Sequence, residues 1–448
     1  MLFHFSLYGF LKNQQYYEPF LMLFFLQTLS EDFFKVGLLV GYREVLINLF
    51  QVPSGAIADL YGRRRCMMFS FCAYIVSFAI FAFSSALWQL LLAMSFFSLG
   101  DAFRTGTHKA MIFGYLQRHG RSDEKTKYYG MTRSWSKMGS ALSVVIAAGI
   151  VFTASAFHGN SQAAVYRYLF LACIVPYLIS LVNFASYPRY LDGTAGKAPP
   201  IGEIFTHLLR VGRDAVKAPA LRRLLIESMG YEGIYKVAKD YLQPIVKGLA
   251  LTLPLLAALK GMQRTAGLIL IVYVAIYLLE SFSSRRSDSV RRRKGGEEHG
   301  AWFLWKLNLI VFTVIAAGLT VDWYLSGAAV SFGLAVAIAG FMALAVLQNL
   351  WRPMHMGRFD TVGDAKAGAT ILSVESQAKS LSAAIFAPLL GLAVNAIKNF
   401  SQVHSEHAKF IPVCLVGILF AAAMLTLRRG PRPRAQGADA VQATTKDV

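Results

Sequence analysis

Apolar residues run through this chain in long stretches broken by short polar and basic clusters. Stretches of about 20 or more mostly apolar residues are long enough for an α-helix to cross a bilayer. They fall at 4–29, 36–59, 65–84, 88–116, 129–156, 165–187, 224–246, 264–283, 302–322, 326–350, 367–396 and 409–427. The pattern predicts an all-α polytopic membrane protein with twelve transmembrane helices, six on each side of a polar insert. The expected domains are a six-helix bundle over 1–188, a linker over 189–223, a second bundle over 224–428 and a disordered tail over 429–448. In the linker, Ile201, Ile204, Phe205, Leu208 and Leu209 recur at helical spacing against Arg210, Arg213 and Lys217. That spacing predicts an amphipathic helix lying on the bilayer surface. The short apolar run 251–259 ends at Lys260 and reads as a helix end, not a further span.

Composition supports the membrane reading. Of 448 residues, 55% are apolar and only 16% charged, against about 25% charged in soluble domains; mean hydropathy is +0.46. The net charge of +20 is scattered between apolar runs, so it forms no folded basic face for nucleic acid. It follows the positive-inside rule instead. Alternate loops hold Arg63, Arg64 and Arg65, then Arg118 and Arg121, then the basic linker, residues 291–294 and the arginines after 427. The opposite loops hold only a scatter such as Lys35, Arg167, Lys260 and Lys398. Both termini and the linker are therefore expected in the cytoplasm, with the protein in a bacterial inner membrane. Cys66, Cys72, Cys173 and Cys414 lie in or beside spans without a pairing pattern, which argues against a disulfide or metal framework. The first span is broken at residues 12–15 and lacks a basic start, unlike a cleaved signal peptide. No phosphate-binding loop pattern is visible, so ATP-driven pumping has no support, and no catalytic triad or metal cluster suggests an enzyme.

Charges inside the spans are the candidate chemistry. Each costs about 2.5–3.5 kcal/mol at a helix centre facing lipid, so these groups are expected to pair, snorkel or line water. Asp101, Arg104 and His108 are spaced to share one helix face. Glu232, Lys236 and Asp240 are spaced likewise, and Glu375 stands four before Lys379. Glu18 falls near the middle of the first span beside Tyr16 and Tyr17. The halves also echo each other. Ser136-Lys137-Met-Gly-Ser140 in the fifth span resembles Ala378-Lys379-Ser-Leu-Ser382 in the eleventh, and Arg104 with His108 matches Arg352 with His355. Such internal likeness is expected of two pseudo-symmetric repeats with a site near the midplane.

One stretch links the second and third spans: Gly55-Ala-Ile-Ala-Asp59-Leu-Tyr-Gly62-Arg63-Arg64-Arg65. Gly55 allows another helix to come close, Asp59 ends a span, and Gly62 supplies the positive φ of a sharp turn. The stretch resembles the G-x-x-x-D-x-x-G-R-[RK] signature of the major facilitator superfamily. The run Gly100-Asp-Ala-Phe-Arg104-Thr-Gly106-Thr-His108 resembles helix 4 of its bacterial permeases. The resemblance implies a rocker-switch permease whose helices 1, 4, 7 and 10 line a central cavity. It also implies that Asp59 meets the cytoplasmic end of helix 11, so that Gly55, Asp59, Gly62, Arg63, Arg64, Glu375 and Lys379 form a conformational gate. The spacing from Arg104 to Gly106 and the lack of a glycine–proline pair after Gly139 depart from drug–proton antiporters. Sugar-porter patterns are absent.

The expected function is secondary active transport of a small polar solute, an anionic one being an option. Arg104 and Lys236 would read its charge, and Glu18, Asp101, Glu232 or Asp240 would couple a proton. His108 is expected as a hydrogen-bonded partner in the same site. No cofactor or metal is expected beyond that proton, and the protein is expected to act as a monomer. A non-transporting sensor or scaffold and a lipid transporter of the same fold remain as alternatives.

Overall fold

The structure is a computed structural model and describes residues 1–105, 107–121, 124–158, 162–192, 201–325, 327–362, 368–400 and 406–427. The described residues form helices and turns, with no strand among them. The N-terminal bundle contains α1 (segments Leu2–Leu11 and Leu21–Thr28), α2 (Phe33–Tyr61), α3 (Arg63–Phe83), α4 (segments Leu87–Arg104 and Thr107–Arg118), α5 (Lys125–His158) and α6 (Gln162–Ala185). A linker helix, Ile201–Lys217, leads to the second bundle. That bundle contains α7 (interrupted, from Pro219 to Thr252), α8 (Gly261–Arg293), α9 (Glu297–Tyr324), α10 (Ala328–Val362), α11 (Gly368–Phe400) and α12 (Ile411–Leu427). Eight of these helices are long and apolar enough to cross a membrane on length and composition. The other four are α1, α4 and α7, which are interrupted, and α2, which carries Lys35, Arg43 and Glu44.

Several boundaries differ from the expected ones. The eighth helix runs on to Arg293, so Arg285 and Arg286 stand on helix and not in a loop. The turn that follows is made by Gly295 and Gly296, at φ 78° and 119°. The apolar run after Thr252 forms a short 3-10 turn, Pro254–Leu256, and no thirteenth span. The linker helix has the expected range, but its Val211 and Ala215 pack with Leu224 and Leu225 of α7, Phe359 of α10 and Ile371 of α11. Part of its apolar face is thus covered by protein. Residues 429–448, expected to be a disordered tail, lie outside the described residues.

Aromatic side chains fill both cores. In the first bundle Tyr17 stacks on Phe170 at 5.4 Å. In the second, Tyr231 stacks on Trp351 at 4.1 Å with Trp305 edge-on. Lipid tails are as apolar as these side chains, so close packing and polar contacts drive helix association more than the hydrophobic effect does. Glycines bring the backbones together. A Cβ at Gly9 would lie 2.6 Å from the Thr132 carbonyl oxygen, and one at Gly139 would run into the main chain of Phe10. Hence α1 and α5 cross in near-backbone contact. Gly139→Leu should cost about 1–3 kcal/mol through overpacking, seen as a lower denaturation midpoint. Gly149→Leu on the same helix should change little, because nothing lies within 4 Å of its Cβ position.

The bundles close on each other in the half remote from the N terminus. There α2 packs on α11 through Gly37, Gly41 and Gly391, a Cβ at Gly41 falling 2.8 Å from the Ala384 carbonyl oxygen. Gln243 of α7 ties α1, accepting from Met22 N and donating to the Glu18 carbonyl, both at 2.8 Å. Phe33 stacks on Tyr241 and meets Phe410 edge-on. Asp32 caps α2 by accepting from the amides of Phe34 and Lys35, and it accepts from Asn395 at 2.8 Å. Burial opposes ionisation of Asp32, but those bonds outweigh it and hold the carboxyl below its ordinary pKa.

Candidate functional site

The site is built where α4 and α1 lose helical geometry. Arg104 ends the first segment of α4, and Thr105 is extended at ψ 123°. The Arg104 guanidinium pairs with Asp101 one turn back. Tyr74 of α3 completes the cluster: its hydroxyl donates to Asp101 at 2.9 Å and accepts from Arg104 Nε at 3.2 Å. After the break, His108 folds against α1, its ring centroid 3.9 Å from that of Tyr8 and 5.6 Å from that of Phe5. His108 is 8% exposed, and its Nε2 is buried with no hydrogen-bond partner among the described residues.

Between Leu11 and Glu18, α1 is not helical, and its polar groups are met from α5 and α6. Asn13 Nδ2 donates to the Ser136 carbonyl at 2.6 Å, Gln14 Nε2 to the Gly139 carbonyl at 3.2 Å, and the Tyr177 hydroxyl to the Lys12 carbonyl at 3.2 Å. Irregular backbone at membrane depth is tolerated where protein or a water-filled cavity satisfies it. Both conditions hold here. A cavity of about 670 Å³ lies against the break, walled by α1, α4 and α5 with Tyr277 and Glu280 of α8 opposite. Its ionisable lining is Lys12, Arg104, Lys109, Arg133 and Lys137 against Glu18 and Glu280, with His108 beside them. It occupies the half of the molecule that carries the N terminus.

Midway along the helices, ion pairs span the two bundles. Lys236 Nζ of α7 lies 2.5 Å from Glu44 of α2, which also holds Arg43 at 3.0 Å. Lys239 reaches Glu18 at 3.7 Å and Asp240 at 3.8 Å. Lys137 of α5 meets Glu280 of α8 at 3.6 Å. A smaller cavity of about 100 Å³ touches Glu18, Arg43, Lys239 and Asp240. The second bundle contains its own closed network. Glu232 of α7 binds Arg352 of α10 at 2.7 Å and Lys379 of α11 at 3.0 Å, and Glu375 binds the same two cations at 2.7 and 3.0 Å. Ser228 donates to Glu375 at 2.8 Å and lies 2.8 Å from His355 Nε2.

Sequence spacing anticipated part of this arrangement. Asp101 and Arg104 pair as expected, and so do Glu375 and Lys379. His108 lines the same cavity as Arg104, though across a helix break and not along one face. The expected single face of Glu232, Lys236 and Asp240 is not found. A π-turn at Met229–Gly233 and a 3-10 turn at Lys239–Tyr241 change the residues per turn. Glu232 therefore enters the second bundle's network, Lys236 crosses to Glu44, and Asp240 stays beside Lys239. The pair Glu375–Lys379, expected in a gate, joins helices inside one bundle.

The turn after α2 agrees in one respect and differs in another. Gly62 has φ 101°, as the turn requires. The turn is held by Asp192, which accepts from the Arg64 amide at 3.0 Å, while the Arg64 side chain donates to the Tyr187 carbonyl at 3.0 Å. Gly55, expected at a close helix approach, has nothing within 4 Å of its Cβ position. Asn48 donates to the Gln377 carbonyl at 3.4 Å between α2 and α11, and Gly55 lies two turns past that bond. The side chain of Asp59 lies outside the described residues, as do residues 363–367 that precede α11. Arg63 lies near Gly114 of α4, 3.9 Å from its Cβ position. Spacing missed the partners supplied from other helices: Tyr74, Glu44, Glu280, Arg352 and Asp192. Their one-dimensional signal was a charge or phenol in an apolar run, which names a residue but not its partner.

Two bundles of membrane helices, closed at one end and enclosing a charged cavity beside broken helices, define a membrane transporter. The sequence profile of the Major Facilitator Superfamily matches residues 13–387, and the chain belongs to that family. A 90-residue stretch is 30% identical to the uncharacterized MFS-type transporter YxaM of Bacillus subtilis (strain 168), covering 20% of this chain and 23% of that relative. Among solved structures, the nucleoside transporter NupG superposes with a TM-score of 0.71 at 11% identity, over 95% of this chain and 96% of that one. A POT family transporter in complex with a thioalcohol-conjugated peptide gives 0.65 at 15% identity, over 95% of each chain. At these identities the likeness concerns the fold.

Proposed function

We propose that the protein is a secondary active transporter that moves a small polar, anionic organic solute by alternating access. The observation that carries the reading is the cavity beside the α4 break, where five basic side chains face two acidic ones. Basic groups at membrane depth are costly unless they meet counter-charges or water, and an anionic solute supplies the counter-charge. By the positive-inside rule the basic end of the molecule faces the cytoplasm. Both termini then lie there, in a bacterial inner membrane, and this is the inward-facing arrangement. Arg104, held in position by Asp101 and Tyr74, is the anchor for the anion. Lys236 is committed to Glu44 and acts at the bundle interface. Glu18 is the carboxylate best situated to carry a coupling proton: it lines the cavity, and when it is protonated Lys239 still has Asp240 at 3.8 Å. One chain supplies both walls of the cleft, so a monomer suffices.

A panel of small organic anions, with neutral and cationic analogues, can be screened by thermal shift on the purified protein. A ligand that binds the folded state raises its apparent midpoint. Anions should raise it, and Arg104→Gln should weaken the response about 10- to 100-fold, the equivalent of losing one charge-assisted hydrogen bond. Hits should then exchange across proteoliposome membranes. Stabilisation by neutral or cationic members alone would overturn the reading.

A further inference from the structure

Two of the five cations of the cavity have acidic partners. Arg104 has Asp101, and Lys137 has Glu280. Lys12 and Arg133 have none among the described residues. Lys12 stands over the Tyr8 ring at 5.6 Å, and Arg133 is exposed to the cavity that both line. Two uncompensated positive charges remain.

The neutral wall has a direction of its own. The hydroxyl of Thr105 donates to the Asp101 carbonyl at 2.8 Å, that of Ser136 to the Thr132 carbonyl at 3.0 Å, and that of Ser140 to the Ser136 carbonyl at 3.2 Å. A hydroxyl has one proton and two lone pairs, so each of these presents lone pairs to the cavity. Asn13 and Gln15 each commit one of two side-chain N–H groups to the protein, at the Ser136 carbonyl and the Tyr177 hydroxyl, which leaves one N–H against the two lone pairs of a carbonyl oxygen. The wall between the cations is therefore biased towards acceptors. His108 adds a ring nitrogen, buried and without a partner among the described residues, at the edge of the same space. A bare anion would meet its charge requirement here and leave the acceptors unused. A solute that also carries hydroxyl groups would satisfy both.

We infer that the cavity selects a hydroxylated organic dianion, a small molecule with two negative charges and hydroxyl donors close to them. This rests on the anionic-solute reading above and narrows it. Lys12 and Arg133 match the two negative charges, Arg104 donates to the solute from its place beside Asp101, and Ser136, Ser140 and Thr105 accept from the hydroxyls. A pocket built to hydrogen-bond a hydroxyl discriminates strongly against an analogue lacking it.

The test uses charge-matched pairs on the full-length protein, titrated at constant ionic strength and read as the shift in denaturation midpoint. The pairs are malate with succinate, and glycerol 3-phosphate with propyl phosphate; glycerol and lactate serve as neutral and monoanionic probes. The hydroxylated member of each pair should bind about tenfold or more tighter than its partner. Ser136→Ala with Ser140→Ala should shrink that ratio by weakening malate more than succinate. Lys12→Gln should weaken malate more than lactate. If both members of each pair bind equally, the hydroxyl assignment is overturned while the anionic reading stands. Lactate binding as tightly as malate would overturn the second charge. Binding of glycerol with none of the anions would overturn both readings.

Discussion

Arg352→Gln should destabilise the protein by about 3 kcal/mol, because it leaves buried carboxylates without a counter-charge. Glu232 and Glu375 share Arg352 and Lys379, and Glu375 is fully buried. Two carboxylates balance two cations. Removing the arginine leaves a buried net negative charge with one lysine to serve both acids. The denaturation midpoint of purified protein should fall accordingly. The double variant Arg352→Gln with Glu375→Gln restores neutrality and should recover most of the loss. If Arg352→Gln were neutral, the network would be solvated and not structural, contrary to the burial of its acids.

The second large effect concerns conformation. Glu44, wholly buried on α2, holds Lys236 of α7 at 2.5 Å across the bundle interface. Glu44→Gln removes that tie and also strips Arg43 of its carboxylate. A coupling of about 1–3 kcal/mol between two states is worth roughly 5- to 150-fold in their populations. The substitution should therefore shift the equilibrium on the order of tenfold towards the state opened at the remote end. Spin labels at Leu38→Cys and Leu389→Cys, exposed positions on α2 and α11, would report a longer distance component. Exchanging the pair as Glu44→Lys with Lys236→Glu should reverse part of the shift. An unchanged distance distribution in Glu44→Gln would show that the ion pair does not bias the bundles.

The architecture was legible because bilayer thickness imposes a length on every apolar run, and the family signature stood where the second run ends. The sites were less legible for a geometric reason. Spacing arguments assume 3.6 residues per turn, and α1, α4 and α7, which carry Glu18, Asp101, Arg104, Glu232, Lys236 and Asp240, do not keep it. Residues 12–15 of α1 were read as evidence against a signal peptide, yet Lys12-Asn-Gln-Gln with Pro19 close behind also marked the helix break. The π-turn in α7 had a weaker cue in Gly230 and Gly233, where a Cβ would strike Phe420 and Ser382. Asp101 with Arg104 and Glu375 with Lys379 were correctly paired because each lies within a regular segment. Glu44 with Lys236 joins residues 192 apart in sequence, and only the packed fold brings them together.

Both ends of the central insert are moored, the first to the N-terminal bundle and the second mainly to the C-terminal one. Asp192 is fastened to the turn after α2, and the helix from Ile201 onward is seated on α7, α10 and α11. The tether between the halves is consequently the stretch from 192 to 201, not the whole insert. At about 3.3–3.6 Å per residue its greatest reach is roughly 30 Å. So short a leash permits rocking of one half against the other and forbids their separation. It also keeps the local concentration of each half high around its mate, so that after every opening the same two faces are the first to meet again.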